Sequence, residues 1–151
     1  MHHTFTTSEI SSMALGIGST IWLFAANRHL FGKGSGLSFV EVIYYLVAAG
    51  ALFAGWYFNF QYMREYEGVS GWWHWTTMLF VNPASASGAQ DLIFANVVLF
   101  PLWTIVEGRR RQMKVAWLYF PVSIVTSFAF AMALFLAFEE RQIRHLKAQG
   151  V

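Results

Sequence analysis

Cysteine is absent from this 151-residue chain, proline occurs three times, and only 12% of residues carry charge. Without cysteine there is no disulfide framework, no thiolate metal site and no cysteine nucleophile. A formal net charge of +2, held in small local groups, excludes nucleic acid as a partner. So little charge beside 56% hydrophobic residues excludes an ordinary soluble domain of this length. The opening MHHTFTTSEI has no basic segment, and no cleavage site follows the first apolar run, so no cleaved leader is predicted.

What the chain does have is long apolar runs, and about 20 apolar residues suffice for a helix to cross a bilayer. The pattern predicts an all-α integral membrane protein, a single membrane domain over residues 1–151. Four transmembrane helices are expected at about 10–30, 39–60, 83–107 and 114–142, with a Trp-rich interfacial or re-entrant helix at about 69–81. Thr6 with Glu9, and Ser38 with Glu41, have capping-box spacing, so both acids read as helix caps. Ser12, Gly16 and Thr20 recur every fourth residue and make a small face for tight helix packing. Ala48, Ala51 and Gly55 make a second such face, and Ser123, Ser127 and Ala131 a third. The link at 27–37, with Gly32, Gly34 and Gly36, lacks the Lys-Ser/Thr ending of a phosphate loop and reads as a surface turn. Asn82-Pro83 marks a helix start, and Pro101 removes a backbone hydrogen bond and predicts a kink.

Four crossings place both termini on one side. Arg28, Lys33, Arg109, Arg110, Arg111 and Lys114 then face one surface, and Arg64, Arg141, Arg144 and Lys147 the other. The positive-inside rule favours cytoplasmic loops and outward termini for that arrangement. Glu140 and Arg144 are spaced to pair along the last helix.

From Tyr44 onward the chain resembles the small bacterial membrane proteins grouped as domain of unknown function 2834. The resemblance rests on Phe80, Asn82-Pro83 and Asp91, then Glu107-Gly108-Arg109-Arg110 with Met113 and Trp117, then Phe135-Leu136 and Glu140-Arg141. Met132-Ala133 stands where the family often carries a proline. The resemblance implies a helical membrane topology, supplies no catalytic residues, and leaves helix one as an added segment.

Asp91 is the sharpest candidate site residue. A helix beginning at Pro83 carries it two turns inward, whereas one beginning near Ser87 leaves it at the surface as a cap. An ionisable group within hydrocarbon is costly unless paired and usually serves a pathway, a ligand or a structural partner; Arg64 and His74 are the candidate partners. Asn96 can hydrogen-bond across helices, and Glu107 can pair with Arg110 or Arg111. Arg109, Arg110, Arg111 and Lys114 suit anionic headgroups. Trp72, Trp73, His74, Trp75 and Trp103 are candidate pigment or lipid contacts, because indoles favour the headgroup boundary and flat rings pack on macrocycles. His74 is then either a single axial ligand or an anchored interfacial histidine. His2, His3 and His145 are terminal and read as solvated, no metal site is assigned, and no nucleophile and base share a motif.

The first functional reading is a non-catalytic accessory subunit that packs against a larger membrane complex, photosynthetic or respiratory. It holds bound lipid, and its aromatic walls suit a chlorophyll-type or carotenoid pigment. Its home is a bacterial-type inner or photosynthetic membrane. The alternative is a small membrane enzyme or transporter for a lipophilic substrate, with Asp91 as acid or base in a cavity lined by Trp72, Trp75 and Trp103.

Overall fold

The computed structural model describes residues 5–32 and 36–150, and every regular element within them is helical. Lys33 and Gly34 of the first link, with His2 and His3, lie outside the described residues. α1 (Thr7–Ala26) and α2 (Phe39–Glu65) begin as their sequences dictate. Thr6 Oγ1 accepts from Glu9 N at 3.3 Å while Thr6 N donates to the Glu9 carboxylate at 2.7 Å. Ser38 and Glu41 repeat the exchange at 3.1 and 3.4 Å, so each helix start satisfies two otherwise free amides. A short 3₁₀ turn, Arg28–Phe31, follows α1, and the Trp-rich segment forms α3 (Trp72–Met78).

Asn82 caps α4 (Pro83–Ile93), its Oδ1 accepting from Ser85 N at 2.9 Å. α4 passes through a π-helical turn, Phe94–Leu99, into α5 (Phe100–Arg110), and the whole forms one 28-residue span. Pro101 has no N–H to donate and its ring crowds the carbonyl one turn back. The disturbance predicted there takes the form of this wider turn. α5 ends in a Schellman arrangement: Met113 N donates to Gly108 O at 2.8 Å and Gln112 N to Arg109 O at 3.1 Å, with Gln112 left-handed at φ 56°.

The last apolar run departs most from expectation. Predicted as one helix over 114–142, it forms two, α6 (Tyr119–Val125) and α7 (Phe128–Ala148), parted by Thr126 at φ −123°, ψ −90° and by Ser127, the N-cap of α7. The two are antiparallel, since Tyr119 at the start of α6 meets Phe135 and Phe138 well along α7, with ring centroids 5.1 and 6.3 Å apart. The approach to the turn runs down α1: Asn27 Nδ2 is 3.5 Å from Lys114 O, Trp22 packs on Trp117 at 5.6 Å, and Gly16 meets Thr126. α7 then climbs back along α2 and α5, from Ser127 at Ala51 and Phe128 at Phe100 to Arg141 at Glu41 and Glu139 at Arg111. This is a helical hairpin whose tip lies near the mid-length of the three long helices.

α1, α2 and the span Pro83–Arg110 are long and apolar enough to cross a membrane; the expected fourth crossing is replaced by the hairpin. The hairpin also separates the ends of the chain, placing Ala148 opposite Thr7 instead of beside it. Hydroxyls explain why the helix breaks here. Ser123 Oγ and Thr126 Oγ1 donate to Phe120 O and Val122 O at 2.7 and 2.6 Å, and Ser127 Oγ accepts from Phe130 N at 3.2 Å, which serves backbone groups where water is scarce.

The small faces of α1 and α2 receive this tip. Ser12 and Thr20 are half-buried and Gly16 is buried, so the face on α1 packs within the chain. A methyl group on Gly16 would stand 2.9 Å from Thr126 Cγ2, and one on Gly55 only 2.8 Å from Ser127 Cβ and 3.3 Å from Thr126 O. Gly55→Ala is therefore expected to destabilise the fold by about 1–3 kcal/mol through overpacking. Gly50→Ala, on the same helix with no atom within 4 Å, should preserve or raise the melting temperature in detergent.

Candidate functional site

Polar side chains from three elements converge on the hairpin tip. Ser123 Oγ, whose proton goes to Phe120 O, lies 2.8 Å from the Asn96 side-chain amide, and Asn96 sits in the π turn, so the contact spans two helices as its chemistry suggests. Asn59 Nδ2 approaches Thr126 O at 3.5 Å, and the Trp56 indole N–H is buried nearby without a partner among the described residues. A discontinuous helix at mid-depth is where transport proteins hold polar ligands, and π turns recur at functional sites.

A second polar centre lies where α7 returns to the start of α2. Glu41 is fully buried, and besides capping α2 it pairs with both Arg141 and Arg144. Arg141, 6% exposed, donates through Nη1 to Leu30 O at 3.1 Å, and its guanidinium lies 4.3 Å from the centre of the Phe31 ring. Arg144 donates to Gly36 O at 2.5 Å and stands 3.7 Å from Glu140, the pairing their spacing predicts. Beside this centre His29 and His145 meet edge to face at 5.5 Å. Burial, with Lys114 and His145 close by, holds the His29 pKa below the usual histidine range. At the opposite end of the bundle Glu9 is buried and bound to Arg64 at 2.7 Å.

The sequence reading of Glu41 as a cap was incomplete because four crossings would have put it and Arg141 at opposite surfaces. The available signal was two arginines three residues apart at the close of an apolar helix. Asp91 is exposed on α4, two turns beyond Pro83, and accepts from Gln90 Nε2 at 2.5 Å. The expected partners are engaged elsewhere, Arg64 being bound to Glu9 and His74 Nδ1 lying 2.9 Å from Tyr62 Oη. Glu107 pairs with Arg111 at 2.8 Å and with Arg110 at 3.3 Å, while Arg109 is exposed beside them. Trp72 and Trp75 stack at 5.6 Å and Trp73 is 78% exposed. Trp103 instead packs on Phe135 at 4.8 Å, roughly 18 Å along the span from Asp91, so a single cavity of Trp72, Trp75, Trp103 and Asp91 is not formed. Among the described residues no three His, Asp or Glu side chains are grouped to hold a metal ion.

Removing one member of the buried centre leaves charge uncompensated. Arg141→Met is expected to destabilise by about 3–5 kcal/mol, and the Glu41→Gln/Arg141→Met double variant by less than the sum of the singles, measured by thermal unfolding in detergent. For His29, the unfolded chain binds a proton before the folded one does. Stability is full above the unfolded value of 6.5 and falls as pH drops below it, a slope that melting curves at stepped pH should show and His29→Gln should flatten.

No curated protein and no solved structure matches this chain. Residues 43–141 match the family model described as protein of unknown function DUF2834. That range runs from the first turn of α2 to Arg141 and takes in the long span, the hairpin and one arginine of the buried centre, leaving α1 outside. On this match the chain belongs to the DUF2834 family of proteins of unknown function.

Proposed function

We propose that this protein is a non-catalytic accessory subunit that packs against a larger membrane complex through α4. The carrying observation is that, among the described residues, α4 packs chiefly on the π turn that continues it, while α1 and α2 are engaged by the hairpin. Ala84, Ser87, Gly88 and Asp91 lie exposed along α4, a small-residue surface with one carboxylate, suited to close approach by a partner helix. In this reading α1, α2 and Pro83–Arg110 cross the bilayer, α6 and α7 enter as a re-entrant hairpin, and α3 lies in the headgroup region among its tryptophans.

Charge supports an orientation. Among the described residues Arg64 is the one cation at the Thr7 end, whereas Arg28, the block Arg109–Arg111, Lys114, Arg141, Arg144 and Lys147 gather at the other. The positive-inside rule makes the latter end cytoplasmic, with α1 beginning outside and α7 ending inside. Arg109, Arg110, Arg111 and Lys114 then meet anionic lipid headgroups. Pigment binding draws its support from the exposed Trp72 and Trp73 and from His74, of whose two ring nitrogens Nδ1 is the one that meets Tyr62 Oη.

A second reading, passage of a small polar or lipophilic substrate, draws on the broken helix beside the π turn at mid-depth. Native purification in mild detergent separates the two. Gly88→Leu should strip the co-purifying chains from the subunit while leaving its own melting temperature unchanged, because a Cβ placed on Gly88 would meet no other packed atom of the described residues within 4 Å. Recovery of the wild-type protein as a solitary monomer, with transport abolished by Asp91→Asn, would instead establish the second reading.

A further inference from the structure

A cleft of about 280 Å³ opens between the last two turns of α2 and α3, at the Thr7 end of the bundle. Phe58, Tyr62 and Tyr66, one helical face at four-residue spacing, line one side; Trp75 and Met78 line the other, and Glu65 completes the lining from α2. The rings are held in place. Tyr62 Oη accepts from Gly71 N and donates to Gly71 O, both at 3.1 Å, and lies 2.9 Å from His74 Nδ1. Tyr66 packs on Tyr62 at 5.4 Å and on His74 at 4.9 Å, while Trp75 stacks on Trp72 at 5.6 Å.

We propose that this cleft binds a methylated ammonium group, such as the trimethylammonium of choline. Aromatic faces attract a cation through their quadrupoles, and a quaternary ammonium loses little hydration on entering a ring-lined site. Glu65 supplies the counter-charge. Glu67 lies nearby in sequence, and Arg64 at the same end is bound to Glu9, so the local field favours a cation over an anion or a neutral lipophile. The volume suits one small group and is well short of a macrocycle. Such a group reaches the bilayer surface as a free solute or as a lipid headgroup.

Full-length protein in a maltoside detergent, free of choline lipids, is titrated with choline chloride against ethanolamine and sodium chloride, following tryptophan fluorescence and melting temperature. A parallel series uses nanodiscs of phosphatidylcholine or phosphatidylglycerol. Saturable binding of choline in detergent identifies a free solute site; stabilisation seen only in phosphatidylcholine nanodiscs identifies the headgroup. In either case Trp75→Leu and Glu65→Gln should each weaken binding about tenfold. Phe53→Leu, exposed on the same helix and outside the cleft lining, should leave it unchanged. Equal responses to choline, ethanolamine and sodium, no response in either series, or unaltered binding in both cleft variants would overturn the proposal.

Discussion

A chain that reverses direction inside an apolar interior must pair its own backbone groups, because each one left bare costs several kcal/mol. The turn at Thr126–Ser127 meets that requirement with the Ser123, Thr126 and Ser127 hydroxyls and the amide of Asn59. Much else follows from it. Gly16 and Gly55 are small because the tip touches them, the π turn brings Asn96 to Ser123, and α7 becomes the helix around which the bundle packs. Phe135 and Phe138, both fully buried, sit where α1, α5 and α6 close around it.

The charged centre at the other end of α7 sets how deep the hairpin goes. Apolar helix faces tolerate sliding by a turn, but Arg141 reaches Glu41 and Leu30 O together in only one register. A buried ion pair contributes little net stability over apolar packing, and its value lies in excluding the displaced arrangements, in which a charge would be stranded. Glu41 does this while retaining its place in the capping box, so one carboxylate fixes both the start of α2 and the close of α7.

Local features were legible in the sequence and the chain path was not. Thr6-Glu9, Ser38-Glu41 and Asn82-Pro83 marked helix starts correctly because capping is a contact between neighbours. The first two small faces were likewise visible as spacing. The hairpin was hidden because an apolar run of 24 residues, 115–138, satisfies the length rule for a crossing whether or not it turns, and hydropathy is blind to a serine that ends a helix as opposed to one that packs on it. From that single misreading came the wrong side for Arg141, hence the missed pairing of Glu41. Trp72 and Trp75 are neighbours in space as in sequence, whereas Trp103 belongs to another neighbourhood, because helical spacing alone does not report which face turns inward.

In the proposed membrane arrangement α6 and α7 enter from one surface, and this bears on how the protein is made. None of the basic residues that follow Val106 needs to cross the bilayer, so the terminal third of the chain carries no translocation burden. Its tip has no seat until Gly16 and Gly55 are already side by side. In that arrangement the hairpin packs after the three long helices, as a wedge that converts a loose trio into a packed bundle.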